Sequence, residues 1–245
     1  MEVCTTILNP LLCHMHDLFF APSLPDGETH LDERESHHAL KVKRHKIGDI
    51  IKVIDGRGGV YDAELTEVVS GQCHFRTLRE TKVPKPVPEV HLAVAPTKNV
   101  ARFEWLAEKA TEIGLSRLTP VSCEHSERHR VNTERLRHIV IEAAKQSGKA
   151  WLPGVDEMIP FNDMLKSDVH ERFIAHARDG SKPLKETYQM SGSTLILIGP
   201  EGDFTDDELQ HAMDAGFTTV SLGPYRLRTE TAALVACHTI NLMHG

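Results

Sequence analysis

Two short stretches near the carboxyl end decide the fold: Leu195–Phe204, which reads LILIGPEGDF, and Ser221–Ala232, which reads SLGPYRLRTETA. Each begins as an apolar run with strand character and breaks at a glycine before a helix is expected. Loops that leave the carboxyl ends of strands are the usual ligand-binding positions of open α/β sheets. We therefore predict one shared pocket between the two loops.

Threonines mark the predicted starts of the helices that follow these loops. Thr205 and Glu208 have the spacing of a capping box, in which each side chain accepts a hydrogen bond from the other residue's backbone. After the second loop, Thr229 or Thr231 is expected to cap a helix over 232–243.

The chain from residue 89 onward alternates strand and helix patterns. Helices are predicted over 100–113, ended by Gly114, and over 133–148. Strands are predicted over 90–95, 118–122, 173–176, 195–198 and 220–222. At least five strands with intervening helices indicate a mostly parallel sheet that is covered on both faces.

The segment before residue 84 has the pattern of a small β-barrel. Strands over 50–54 and 60–65 flank the glycine-rich turn 55–59, and a further strand is expected over 74–78. No helix pattern follows the turn, so a phosphate-binding loop is not expected. Three alternating prolines make 84–88 a stiff linker. The predicted domains are a tail (1–15), the barrel (16–83), the linker (84–88) and the α/β domain (89–245).

Composition describes an ordinary globular protein of 245 residues, with 40% hydrophobic and 26% charged residues. No apolar run approaches the ~18 residues of a membrane helix. Residues 1–14 lack a basic start and are interpreted as a tail, not as a signal peptide. Five scattered cysteines without a CxxC pair favour reduced thiols and a cytoplasmic protein.

Charge is unevenly distributed over the chain, whose net charge is −7. Six Lys and Arg against two Asp lie in 41–57, and six against three Glu lie in 125–149. These segments are candidates for basic faces that contact nucleic acid, although solvated surface charge is the simpler alternative.

Metal and dinucleotide sites are not expected. His37 and His38 are adjacent and would point apart in a strand, while His125 and His129 could share a helix face but lack the carboxylate of an HExxH motif. No GxGxxG motif opens a helix after a strand.

The two glycine loops resemble the cofactor half of the RsmE-type ribosomal RNA methyltransferases of the SPOUT superfamily. The resemblance covers roughly residues 15–245. The other motifs that carry it, in chain order, are His37-His38 with Lys43-Arg44 and Gly48-Asp49, Glu108–Gly114, Ser126-Glu127-Arg128 and Glu142–Ser147. One departure is Asp203, which stands where the family has a second glycine and which restricts the loop to conformations that a Cβ atom tolerates.

The resemblance implies a PUA-like RNA-binding barrel followed by a SPOUT domain with a deep trefoil knot, in a homodimer. It implies methylation of N3 of a uridine in 16S ribosomal RNA, at nucleotide 1498, with S-adenosylmethionine as methyl donor. The cofactor contacts implied, largely through main-chain atoms, are Ile198, Gly199, Pro200, Gly202, Leu222, Gly223 and Leu227.

Catalysis at uridine N3 requires removal of a weakly acidic proton, so a cation that stabilises the anion is needed. Arg228 is the best candidate, with Glu230 or Glu201 to orient it or accept the proton. Glu230 could equally be an ordinary carboxylate at a helix N-terminus. The candidate RNA contacts are Lys41, Lys43, Arg44, Lys98, Arg102, Lys109, Arg128 and Arg130. The alternatives are a sister enzyme that acts on another RNA, such as a transfer RNA, and a catalytically silent ribosome-assembly protein.

Overall fold

A computed structural model describes residues 18–176, 181–190 and 192–244. The predicted tail, 1–15, lies outside the described residues. The chain divides into two units, one formed by Met1–Lys85 with Ala144–Leu152 and the other by Pro86–Ala143 with Pro153–Gly245. The short segment that returns to the first unit was assigned by sequence to the α/β domain.

Backbone hydrogen bonds attach this returning segment to the hairpin of the first unit. Gly58 N donates to Ala150 O at 3.1 Å, and Leu152 N donates to Gly56 O at 3.0 Å. Ala150 is also buried in an apolar cluster with Ile54. Contacts between residues about ninety positions apart leave no local signature, so no sequence pattern indicates them.

The first unit is built on a four-stranded sheet in the order β1-β2-β3-β4. The strands are β1 (Leu18–Phe20), β2 (Ile50–Ile54), β3 (Gly59–Val69) and β4 (Gln72–Lys82). β1 pairs with β2 in parallel, and the other pairs are antiparallel. A 3₁₀ turn, Leu24–Asp26, precedes the helix α1 (Glu33–His37), which continues into a π-helical turn, His38–Val42. His37 and His38 are therefore helical, and their placement in a strand was wrong.

The predicted hairpin around residues 55–59 is confirmed. Asp55 is buried, and its Oδ1 accepts hydrogen bonds from Arg57 N at 2.7 Å and Gly59 N at 2.9 Å. Alternate residues of β3, among them Ala63 and Leu65, face the apolar core of this unit, as a half-buried strand requires.

The second unit is an α/β domain whose described strand pairs are all parallel. The strand order is β10-β12-β9-β11-β5-β6-β7, and β8 also pairs with β6. The strands are β5 (Glu89–Val94), β6 (Leu115–Ser122), β7 (Gly154–Val155), β8 (Ile159–Pro160), β9 (Glu171–Ala175), β10 (Lys182–Pro183), β11 (Ser193–Ile198) and β12 (Thr218–Ser221). The predicted parallel sheet is confirmed.

Among the residues that the structure describes, six further helices accompany this sheet: α2 (Val100–Ile113), α3 (Thr133–Gln146), α4 (Phe161–Met164), α5 (Leu184–Thr187), α6 (Asp206–Asp214) and α7 (Thr229–His244). The prediction for α2 is confirmed, and Gly114 ends it at φ +135°. α3 ends two residues before the predicted boundary. Within the described ranges, no helix is long and apolar enough to cross a membrane.

Both faces of the sheet are apolar, as expected for buried parallel strands. Ile196 and Ile198 of β11 pack with α2 and α7 on one face. Leu195 and Leu197 pack with Phe204 and the start of α6 on the other. The packing of β11 on both faces fixes the starting point of the loop that follows it.

Candidate ligand-binding and catalytic site

A cavity of about 860 Å³ lies at the carboxyl ends of β9, β11 and β12. The loop after β11 and the loop after β12 form most of its walls, so the prediction of one pocket shared by the two loops is confirmed. The lining residues include Ala175, His176, Ser181, Ile198, Gly199, Pro200, Glu201, Asp203, Leu222, Gly223, Tyr225, Arg226, Leu227, Arg228 and Thr229.

Two hydrogen bonds connect the loops to each other. Arg226 Nη2 donates to Glu201 O at 3.0 Å, and Thr229 Oγ1 donates to Gly199 O at 3.0 Å. Thr229 is the first residue of α7, so this helix begins three residues before the predicted start. The expected capping role of Thr229 or Thr231 was wrong, because the Thr229 hydroxyl bonds across to the neighbouring loop instead.

The first loop has the conformation that its motif requires. Thr205 and Glu208 form the predicted capping box. A Cβ atom on Gly199 would lie 3.0 Å from the Phe204 ring, so a larger residue would disturb this turn. Asp203 adopts φ +66°, a left-handed conformation that Asp tolerates better than most residues. The loop thus keeps a glycine-like backbone at Asp203.

Six of the seven predicted cofactor residues line the cavity, and Gly202 does not. Gly202 packs against His125, whose Cβ would be 3.0 Å from a Cβ placed on this glycine. Gly223 has φ +146°, and no atom lies within 4 Å of the position a Cβ would take. The backbone at Gly223 is therefore open to close approach by a ligand.

The three predicted catalytic residues have different environments. Arg228 is exposed on the cavity wall, and its guanidinium has no hydrogen-bond or ion-pair partner among the described residues. Glu201 also lines the cavity, and its Oε1 accepts from Lys98 N at 3.1 Å. Glu230 is buried outside the lining, 3.7 Å from Arg102 Nε, and its Oε2 has no partner in the described part of the chain.

Several of the predicted RNA-contacting cations of the second unit have acidic or carbonyl partners. Lys98 pairs with Glu127 at 2.7 Å, and this hydrogen bond raises the pKa of Lys98. Arg128 Nη2 donates to Lys98 O at 2.9 Å. Lys109 lies between Glu108 and Glu112, and its hydrogen bonds to them raise its pKa. The exposed Arg130 lies beyond this cluster.

The predicted RNA-contacting cations of the first unit lie on its surface. Lys41, Lys43 and Arg44 are exposed at the end of the π-helical turn and just after it. They neighbour two exposed apolar side chains, Val42 and Ile47, which are 61% and 64% accessible. This surface, residues 41–47, combines cations with apolar area.

The predicted helix shared by His125 and His129 is absent. His125 Nδ1 contacts Asp203 O at 3.1 Å, and His129 Nδ1 contacts Ser122 Oγ at 3.2 Å, both from a loop. Across the described ranges, no group of three or more His, Cys, Asp or Glu side chains could hold a metal ion.

Two residues of the cavity were missed by sequence reasoning. Arg226 joins the loops, and His176 follows β9 at the cavity wall. His176 is the last residue of the strand predicted over 173–176, and this position at the ligand-binding edge of the sheet is the signal that identifies it.

The fold and the cavity define an RNA methyltransferase domain that follows a PUA domain. Residues 83–241 match the family model for an RNA methyltransferase domain, and residues 31–78 match the model for an RNA methyltransferase PUA domain. The chain belongs to the ribosomal RNA small subunit methyltransferase E family, being 31% identical to the Mycobacterium bovis protein of that name over 92% of this chain and 91% of the relative.

Solved structures similar to this chain include rRNA methyltransferases. A probable rRNA methyltransferase from Porphyromonas gingivalis is 38% identical, with a TM-score of 0.87 over 94% of this chain and 100% of that chain. A ribosomal RNA small subunit methyltransferase E from Neisseria gonorrhoeae, solved bound to S-adenosyl methionine, is 28% identical, with a TM-score of 0.82 over 93% and 97%. The predicted family is thus confirmed, as is the fold class of an α/β domain with a parallel sheet after a PUA-like domain.

Proposed function

We propose that this protein transfers a methyl group from S-adenosylmethionine to N3 of a uridine in 16S ribosomal RNA, at nucleotide 1498. The observation that carries the proposal is the cavity between the two glycine loops, on whose wall the Arg228 guanidinium makes no contact with a partner among the described residues. Membership of a family whose relatives are named as ribosomal RNA small subunit methyltransferases supports the substrate class.

The cavity residues fit S-adenosylmethionine. Ile198, Leu222 and Leu227 supply apolar wall, and Gly223 leaves its backbone open on the lining. A volume of about 860 Å³ is within the range of small-molecule sites. When bound, S-adenosylmethionine supplies an electrophilic methyl group. The protein then has to provide a nucleophilic uridine nitrogen next to it.

Arg228 has the properties to activate the uridine. The N3–H group is a weak acid, comparable with a phenol of pKa ~10. Loss of this proton leaves negative charge on the base oxygens O2 and O4. A guanidinium that donates to such an oxyanion in a partly dry site contributes about 3–4 kcal/mol to transition-state stabilisation. Arg228 retains its donors for this purpose, since no described residue uses them.

Glu201 is the better placed of the two carboxylates to accept the N3 proton. It lines the cavity, whereas Glu230 is buried outside the lining beside Arg102. We assign Glu201 to proton transfer and Glu230 to a structural role at the start of α7. A general base must lie within hydrogen-bond reach of the proton that it removes.

RNA is proposed to bind both units. Residues 16–83 would act as a PUA-like RNA-binding domain, linked by 84–88 to the methyltransferase domain 89–245. Lys41, Lys43 and Arg44 supply an exposed basic surface on the first. On the second, Arg130 is exposed. Lys98, Arg102 and Lys109 would exchange their carboxylate partners for phosphates, and Arg128 would exchange the backbone carbonyl of Lys98 for one.

The proposed assembly is a cytoplasmic homodimer with a trefoil knot in each methyltransferase domain. The proposal of a knot rests on the family resemblance. The hydrogen bonds from Arg226 and Thr229 hold the start of α7 against the first loop. Trp105 of α2 and Leu242 of α7 are 46% and 67% exposed on two helices that pack together. Such apolar area is suited to burial against a second copy.

Mass spectrometry of ribosomal nucleosides tests the function. A strain that lacks the protein should lose N3-methyluridine from 16S ribosomal RNA, and the purified protein should restore it with S-adenosylmethionine. Parallel reactions with free 16S RNA and with assembled small subunits identify the physical substrate. A methyl group found only in transfer RNA, or in no RNA, would contradict the proposal.

A further inference from the structure

His176 occupies a fixed position at the edge of the cavity. It directly follows β9, and its backbone N donates to Val220 O of β12 at 3.0 Å. The residue is 8% exposed, and both His176 and Asp203 line the cavity. Its backbone is held by the sheet, so only the ring orientation remains to be determined.

Asp203 determines that orientation. Its Oδ1 lies 3.1 Å from His176 Nδ1 and also accepts from Phe204 N at 2.8 Å. An ionised carboxylate can only accept hydrogen bonds, so the proton of the contact belongs to Nδ1 of the imidazole. In the neutral ring with Nδ1 protonated, Nε2 carries a lone pair and is an acceptor.

The acceptor atom has no partner. His176 Nε2 is buried and makes no hydrogen bond to any described residue. An unsatisfied buried acceptor is unfavourable, and such groups in native structures commonly await a ligand or an ordered water. The dyad thus has one unused lone pair on a residue that lines a cavity that fits an adenosyl compound.

We infer that His176 is a cofactor-contact residue whose Nε2 accepts a hydrogen bond from a donor on the S-adenosyl ligand. That donor is a ribose hydroxyl or an amino group, which share this chemistry. Asp203 is the positioning residue that fixes the tautomer, which accounts for an Asp at φ +66° where the resembled motif has glycine. The inference rests on the proposed use of S-adenosylmethionine.

The competing explanation is purely structural. His176 could serve only to anchor the loop through Asp203, together with the contact from His125 to Asp203 O. Under that explanation, removal of either member lowers thermal stability without a specific effect on ligand affinity. The hydrogen bonding of His176 Nε2 would also be the same with and without the ligand.

Calorimetry with S-adenosylhomocysteine tests the inference on the full chain. His176→Phe keeps the ring shape and should weaken binding about tenfold. Asp203→Gly retains the backbone conformation, because glycine adopts positive φ freely, and should weaken binding about threefold. Asp203→Asn, which keeps an acceptor, should remain near wild type. His170→Phe, at the amino end of the same strand, is the matched control and should bind normally.

Nitrogen NMR of the histidine rings supplies a readout that a structural role does not change. In the wild type the Nε2 resonance of His176 should shift when S-adenosylhomocysteine binds, and Asp203→Gly should give a mixture of tautomers. The Asp203 variant keeps the test valid if His176→Phe fails to fold. Methylthioadenosine lacks the amino-acid part, so a loss of affinity that persists with it identifies the nucleoside as donor. If the variants bind methylthioadenosine as well as the wild type does, the α-amino group is identified as the donor.

Two failures are distinguishable. If wild-type protein does not bind S-adenosylhomocysteine, both the proposed function and the inference fall. If the wild type binds while His176→Phe and Asp203→Gly bind equally well, or the Nε2 resonance does not move, the inference alone is overturned.

Discussion

Arg226 reaches across from the loop after β12 to the loop after β11, where its Nη2 donates to the backbone carbonyl of Glu201 at 3.0 Å. This contact joins residues from the two motifs that carry the strongest family resemblance. The guanidinium of Arg228, two positions further on, has no hydrogen-bond or ion-pair partner among the described residues. Of these two neighbouring arginines, Arg226 holds the loops together, and we propose that Arg228 acts on the substrate.

Replacement of Arg228 should affect chemistry more than binding. We expect Arg228→Ala to lower kcat by about 10²–10³, as for loss of one donor to a developing oxyanion, with affinity for S-adenosylhomocysteine within a few-fold. Arg228→Lys should recover only part of the activity, because a point charge does not reproduce the planar fork. Single-turnover methyl transfer and calorimetry measure both quantities. A large loss of cofactor affinity would contradict the catalytic assignment, and Arg137→Ala on α3 is the control.

Replacement of Arg226 or Thr229 should affect cofactor binding more than the chemical step. Loss of the Thr229 hydrogen bond removes about 1 kcal/mol of stabilisation from the loop arrangement, which corresponds to roughly fivefold in Kd. Loss of the bond from the charged Arg226 removes somewhat more. Arg226→Ala and Thr229→Val should therefore weaken S-adenosylhomocysteine binding, with little change in kcat at saturation. Isothermal titration makes the comparison, with Lys185→Ala as control. Unchanged Kd values would show that the loops do not need these contacts.

The basic surface at residues 41–47 should contribute to the salt dependence of RNA binding. Lys41→Ala combined with Arg44→Gly removes two cations, glycine being chosen because Arg44 has φ +61°. Each phosphate contact on single-stranded RNA contributes ~0.7 to the slope of log K against the logarithm of the salt concentration, so loss of two contacts should reduce the magnitude of this slope by about 1.4. Filter binding at several salt concentrations measures it, with Lys166→Ala as control. An unchanged slope would exclude this surface from RNA contact.

Acid should destabilise the α/β domain through His91. His91 Nε2 lies 2.7 Å from Thr119 Oγ1, and the Thr119 hydroxyl donates its proton to Asp156, so the ring must be the donor to Thr119. Burial, followed by the positive charge of Arg117, lowers the pKa of His91 to about 4 from the ordinary 6.5.

The pKa of His91 is lower in the folded than in the unfolded protein. The stabilisation that the neutral ring gives the fold is therefore fully present above pH 6.5 and is lost as the pH falls towards 4. The free energy of unfolding falls by about 3 kcal/mol over this range. Urea unfolding at pH 7 and pH 4.5 measures it, and His91→Gln should show a smaller difference between the two pH values. An equal difference in the variant would mean that other groups cause the acid sensitivity.

The buried ion pair between Lys145 and Glu35 should be essential to the first unit. The Lys145 Nζ to Glu35 Oε1 distance is 2.6 Å, and both side chains are almost fully buried. Removal of one member leaves a buried charge, so Lys145→Ala should destabilise by about 3–5 kcal/mol. Arg76→Ala, which breaks the exposed pair with Glu64, should cost less than about 1 kcal/mol. Equal thermal shifts in the two variants would contradict this expectation.

The sequence by itself determined the family, the parallel α/β domain, the pocket between two glycine loops and the capping box at Thr205. These follow from local patterns: apolar runs of strand length, glycines at the turns, and a threonine three residues before a glutamate. Helix α2 was predicted with its correct bounds because the glycine that ends it, Gly114, directly follows its amphipathic pattern.

Only the tertiary structure decided which side chains share a surface. The bonds from Thr229 to Gly199 and from His176 to Asp203 join residues 30 and 27 positions apart. The placement of 144–152 in the first unit and the burial of Glu230 are likewise results of packing. Such contacts depend on where strand ends meet in space, and hydrophobic periodicity along one segment carries no information about the neighbour it will meet.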